Sequence, residues 1–274
     1  MANRADMGAR VNHVAIASDY YALNGRFYES LFGMKTSSKP RPARSVVLGD
    51  GYTGLNCIPR RDGRYSGLDH FGIEVDDLAE TLARIERFDR SLSAVKRPPI
   101  RPYAAYSAHD PDTNIFDLSQ KSSAGQKDIY AENNWIQKRT ISHIALRTRH
   151  ARRCAEFYSE VFGLTLLDRP GDENFHISDG RVTLLIIPWK ISDYYAQDPA
   201  RTGLDHIGFT VESVEQVKRD MEFLIGENPH MRGRALGYGS EGEARLKLLQ
   251  KCPLGSIQLT DIEGVHIDIA EARA

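Results

Sequence analysis

Apolar and small or polar residues alternate along Val11-Asn12-His13-Val14-Ala15-Ile16, the two-residue period of a half-buried strand. The spacing then turns helical. Leu23, Phe27, Leu31 and Phe32 share one face, with Ser18 or Asp19 as the expected N-cap and Gly33 as the expected stop. Three short strands are expected at 34–38, 44–49 and 53–58, the last two divided by Gly49-Asp50-Gly51. A strand bearing His70 and a helix from Leu78 to Phe88 follow. The same succession then returns. A His143 strand leads into a helix from about Ala151 to Phe162 that stops at Gly163, with Cys154, Phe157, Tyr158, Val161 and Phe162 on it. Strands are expected at 164–169, 173–178 and 182–187, then a His206 strand and a helix from about Val214 to Ile225.

The recurrence is literal as well as periodic. Phe27-Tyr28-Glu29-Ser30-Leu31-Phe32-Gly33 returns as Phe157-Tyr158-Ser159-Glu160-Val161-Phe162-Gly163, and Gly67-Leu68-Asp69-His70-Phe71-Gly72 as Gly203-Leu204-Asp205-His206-Ile207-Gly208. The copies close on Asp110-Pro111-Asp112-Thr113-Asn114-Ile115-Phe116-Asp117-Leu118 and Asp261-Ile262-Glu263-Gly264-Val265-His266-Ile267-Asp268-Ile269. Such a duplication fixes the architecture before any single residue is weighed. It predicts an α+β chain of tandem βαβββ modules, two per copy and four in all. The expected division is an N-terminal module at 11–120, a polar linker at 121–138 and a C-terminal module at 139–272. The stretch from Pro229 to Pro253 is longer than its counterpart near 90–105 and rich in Gly, Arg and Glu, the composition of a loop over a pocket.

Composition narrows the partners. Over 274 residues, 36 Lys and Arg balance 37 Asp and Glu, so neither a nucleic acid nor a membrane surface is an expected partner. No N-terminal apolar run reads as a signal peptide and no segment reaches bilayer-spanning length, so a cytoplasmic location is expected. Cys57, Cys154 and Cys252 are distant and odd in number, which fits buried thiols better than a disulfide framework.

The order and double occurrence of these motifs resemble the vicinal oxygen chelate superfamily, which includes glyoxalase I, bleomycin resistance proteins, methylmalonyl-CoA epimerase and type I extradiol dioxygenases. The resemblance runs from Val11 to Ile269. It implies cup-shaped mixed sheets with helices on the outer face and a metal on the inner one. It also implies a small-molecule substrate, aromatic in the dioxygenases, and paired modules of this kind often assemble into homo-oligomers.

Side-chain alternation tests whether a metal site fits. His13 shares a face with Ala15 and Ala17, His143 with Ala145, His70 with Gly72 and Glu74, and His206 with Gly208 and Thr210. Asp117 and Asp268 lie opposite the apolar residues that flank them. Two candidate sets result: His143, His206 and Asp268, and His13, His70 and Asp117. Two imidazoles and one carboxylate on one side of an ion leave the other side open, which suits Fe(II) first and Mn(II), Zn(II), Ni(II) or Co(II) as alternatives. The resemblance places iron in the C-terminal copy and Glu, rather than the Asp found here, as the usual third ligand. It also asks of a glyoxalase a fourth acidic ligand, whereas the corresponding strands read Gly54-Leu55-Asn56-Cys57-Ile58 and Thr183-Leu184-Leu185-Ile186-Ile187.

Beyond the ligands, His266 lies two residues from Asp268 and is a candidate proton shuttle. Tyr238, between two glycines in the expected lid, is a candidate partner for a substrate oxygen, and Tyr103 and Tyr106 are candidate linings of the first cup. Asp110, Asp112, Asp261 and Glu263 read as turn formers. The expected activity is ring cleavage of a catechol-type aromatic with O2. A metal-dependent lyase, epimerase or isomerase of the glyoxalase type and a metal-free binding or resistance protein stand as the alternatives.

Overall fold

In the computed structural model, residues 8–36, 45–98, 104–121, 138–190, 202–234, 243–244, 246–247 and 254–272 are described. The expected linker, Tyr103, Tyr238, Cys252 and most of the expected lid lie outside them. No helix among the described residues is long and apolar enough to cross a membrane.

The first copy contains β1 (Arg10–Ser18), α1 (Tyr21–Phe32), β2 (Lys35–Thr36), β3 (Val46–Gly49), β4 (Gly54–Pro59), β5 (Gly67–Val75), α2 (Leu78–Phe88), β6 (Ala94–Lys96), β7 (Tyr106–His109) and β8 (Ile115–Gln120). The second contains β9 (Thr140–Thr148), α3 (Ala151–Phe162), β10 (Thr165–Leu167), β11 (Phe175–Ser178), β12 (Thr183–Pro188), β13 (Gly203–Val211), α4 (Val214–Glu227), β14 (Ile257–Thr260) and β15 (His266–Glu271). The sheets run β2-β3-β4-β1-β5-β8-β7-β6 and β10-β11-β12-β9-β13-β15-β14. In each, the two His strands are central, antiparallel neighbours, and each has a parallel partner on its far side. The result is an α+β fold with two mixed sheets.

Gly33 and Gly163 end their helices in the left-handed region, at φ 68° and 71°, where glycine carries no steric penalty. The start of α1 differs from expectation. Its N-cap is Tyr20 with no side-chain cap, because Asp19 pairs with Arg60 and Ser18 stays in β1, accepting from Tyr20 N at 2.8 Å. Tyr106 also differs. It lies in register with Leu118 and packs on the core, so Ser107, opposite Asp117, occupies the site face in its place.

The helix faces of the two sheets meet each other. α1 packs on α4 and α2 on α3, and one apolar cluster holds residues of both copies. The Phe-Tyr…Phe-Gly motif makes this junction. Phe32 stacks on Phe209 of the other copy with centroids 3.9 Å apart, and Phe162 meets Phe116 edge-on at 5.7 Å. Each such buried ring contributes about 2–3 kcal/mol by removal from water.

The acidic turns are reciprocal clasps. Asp110 accepts backbone hydrogen bonds within its own turn and one from Tyr158 OH at 3.0 Å across the junction; Asp261 does the same with Tyr28 OH at 3.0 Å and Asn24 Nδ2. Asp50 accepts from Ile141 N and Asp179 from Val11 N, each at 2.8 Å. The copies thus secure one another's first His strands.

Candidate metal centre

Both sets of residues singled out in the sequence come together. Within each of His13/His70/Asp117 and His143/His206/Asp268, one ligand atom per residue lies within 4.8 Å of the others. The imidazoles stand edge to face, with centroids 5.5 Å apart in the first set and 5.2 Å in the second.

Register explains the convergence. Gly72 pairs with His13 on one side and Asp117 on the other, and Gly208 likewise lies between His143 and Asp268. With strands about 4.8 Å apart, first and third ligands start roughly 10 Å apart and must lean over the middle strand. Glycine makes that lean possible. A Cβ on Gly208 would sit 1.9 Å from Cε1 of His143, and one on Gly72 would sit 2.1 Å from Cε1 of His13.

Each candidate ligand imidazole is aimed by the residue before it. Nδ1 of His13, His70, His143 and His206 lies 2.6, 2.6, 3.2 and 2.7 Å from Asn12 Oδ1, Asp69 Oδ2, Ser142 Oγ and Asp205 Oδ2. In regular strands, neighbouring side chains point to opposite faces. Here the register slips by one residue at each of these four positions, and such bulges bring successive side chains together. With Nδ1–H donated to a carboxylate, amide or hydroxyl oxygen, Nε2 keeps its lone pair for an ion. Asp205 is held in turn by Arg147 Nε at 3.0 Å.

The two centres differ in what surrounds them. In the C-terminal centre, all three residues are buried, and Nε2 of both His143 and His206 lacks a hydrogen-bond partner among the described residues. Burial, then His206 and His176, holds His143 well below the usual imidazole range, so it is neutral. Asp268 is fixed by Leu254 N and Gly255 N on Oδ2, both at 2.8 Å, and by Gln258 Nε2 on Oδ1 at 2.9 Å. In the N-terminal centre, His70 Nε2 lies 3.3 Å from Asp117 Oδ2. Burial opposes charge on His70, but hydrogen bonds to Asp117 and Asp69 outweigh it and raise the imidazole. His13 falls to about 3 through burial and the adjacent His70. That centre therefore carries its own internal ion pair.

Orphaned, buried imidazole nitrogens facing a fixed carboxylate fit a divalent ion, since burying unsatisfied polar atoms otherwise costs about 1–3 kcal/mol each. Among the described residues, β4 and β12 carry no acid, and Asn56 and Leu185 lie on them in register with Ala15 and Ala145. His266 pairs in register with His206 and is buried, on the strand of Asp268. His176, absent from the sequence reading, also lies on this face, in register with Leu185.

Residues 140–228 match the profile of the Glyoxalase/Bleomycin resistance protein/Dioxygenase superfamily. No curated protein matches the chain. Among solved structures, the 2,3-dioxygenase LapB from Pseudomonas sp. KL28 aligns with a TM-score of 0.62 at 17% identity, over 97% of this chain and 92% of its own. The Mn(II)-bound glyoxalase from Novosphingobium aromaticivorans aligns at 0.57 and 17%, over 80% and 72%. A xylose isomerase-like TIM barrel/4-hydroxyphenylpyruvate dioxygenase fusion protein aligns at 0.61 and 16%, over 97% of this chain but only about half, 49%, of its own. The profile match is confined to the C-terminal copy. The chain's fold, over nearly the whole length, is that of the two-module dioxygenases.

Proposed function

We propose that the protein is an Fe(II)-dependent, extradiol-type dioxygenase that cleaves a catechol-type aromatic at His143, His206 and Asp268. The observation that carries this reading is the pair of buried imidazole nitrogens, His143 Nε2 and His206 Nε2, that lack a hydrogen-bond partner among the described residues, the former 3.7 Å from Asp268 Oδ2. Three protein ligands on one side leave adjacent positions open. An iron held there supplies sites for two vicinal substrate oxygens and electrons for O2.

The chain's own residues do the rest. Ala145, Leu185 and Ile187 form a small apolar cluster separate from the main core, a floor for a flat ring. His143 is already neutral, so it ligates without first losing a proton. Arg147 and Asp205 hold His206 in the tautomer that presents Nε2. His266, beside His206 in register, takes the proton of a substrate hydroxyl on a ring nitrogen, and Tyr238 remains a candidate for the same oxygen from outside the described residues. The N-terminal triad, closed by its His70–Asp117 pair, is assigned a structural role. The test is O2 uptake by iron-loaded protein across a catechol panel, with anaerobic controls. Uptake that requires both iron and catechol supports the reading, and no uptake with any member refutes it.

A further inference from the structure

The copies differ at an outer position on the site face. Across the C-terminal sheet, His176, Leu185, Ala145, His206 and His266 stand side by side in register. Across the N-terminal sheet, the place of His176 is taken by Val47, which pairs with Asn56 opposite Ala15. A buried histidine where the duplicate has a valine calls for a partner. His176 is 1% exposed; its Nε2 lies 2.7 Å from Asp172 Oδ2, and its Nδ1 is buried with no hydrogen-bond partner among the described residues.

Three strand spacings separate His176 from His206, roughly 14 Å between backbones. Only Leu185 and Ala145 lie between them in the row. A ring chelated beside His206 would lie over that apolar floor with its far end toward His176. Because the Nε2 proton goes to Asp172, Nδ1 presents a lone pair, which accepts from O–H.

We propose that His176, oriented by Asp172, is the specificity-determining residue of the C-terminal cup and receives a hydroxyl on the arm of a substituted catechol. This rests on the reading of the C-terminal cup as a catechol site. Burying one hydrogen bond to a group that otherwise goes unsatisfied is worth about 1–2 kcal/mol, or roughly 5–30-fold in affinity.

The test is calorimetric binding of ethyl catechol and hydroxyethyl catechol, the arm on either open ring position, to Zn(II)-substituted protein that does not turn over. Wild type is expected to prefer the hydroxyethyl probe by roughly 5–30-fold. His176→Phe should abolish the preference while keeping its zinc and its binding of ethyl catechol. Asp172→Asn, which leaves the packing of the cup alone, should weaken the preference by several-fold. Equal affinity for the two probes in wild type, or a preference that survives both substitutions, overturns the role of His176 and leaves the catechol site standing. Failure of both probes to bind zinc-loaded wild type overturns the catechol reading and this inference with it.

Discussion

Gly208→Ala puts a single methyl where the geometry leaves none. The added carbon would lie 1.9 Å from Cε1, 2.0 Å from Nδ1 and 2.6 Å from Nε2 of His143. Carbon contacts are comfortable at about 3.5–4.0 Å, so the ring must retreat by roughly 1.5 Å. His143 is fully buried and cannot swing into solvent, so overpacking should cost about 1–3 kcal/mol of stability. The effect on metal is larger, because ligand distances tolerate only about 0.2 Å, and a displacement several times that size removes His143 from the set. The expected loss of affinity exceeds the 10–100-fold typical of losing an outer partner. Anaerobic Fe(II) or Zn(II) titration against a competing chelator, with thermal unfolding in parallel, measures both effects. Gly226→Ala, where the new methyl meets nothing within 4 Å, is the control and should keep wild-type metal affinity. Gly208→Ala protein that binds metal as tightly as wild type would refute the argument that glycine makes the site.

Three further outcomes follow from the same geometry. Asp205→Asn should lower metal affinity about 10–100-fold in the same titration, because the group that fixes the His206 tautomer is weakened, and should also lower stability, because buried Arg147 loses its charged partner. Tyr158→Phe leaves buried Asp110 short of a donor and should lower stability by about 1–3 kcal/mol in denaturant melts; an unchanged midpoint would show the clasp to be idle. Burial lifts Asp261 to about 6, against its hydrogen bonds, from an unfolded value of about 3.9. Between those values the folded state holds more protons than the unfolded one, so this group's contribution to stability falls by about 3 kcal/mol as pH rises from about 4 to 6 and is flat above. Asp261→Asn should remove that slope from the difference between wild-type and variant unfolding curves, and parallel curves across the window would contradict it.

The duplication, the helix ends at Gly33 and Gly163 and the convergence of the six candidate ligand residues were legible because each follows from periodicity or spacing within one strand or helix. Alternation worked from each histidine onward and failed one residue before it. There the bulges at Asn12, Asp69, Ser142 and Asp205 bring two successive side chains to one face. A polar residue directly ahead of all four histidines was the available signal. The role of Gly72 and Gly208 was hidden because it depends on the strands beside them. The Asp110–Tyr158 and Asp261–Tyr28 clasps span copies, which no local pattern encodes. His176 escaped notice because it lies on an outer strand and reaches the site only through the register of β11, β12 and β9.

The central claim is tested most directly by the identity and stoichiometry of metal in protein purified without oxygen, compared with His206→Ala and His13→Ala. One divalent ion per chain, iron in the native protein, should be lost in His206→Ala and kept in His13→Ala. Wild-type protein with no stoichiometric ion, or an ion that survives His206→Ala, would contradict the assignment of the C-terminal centre.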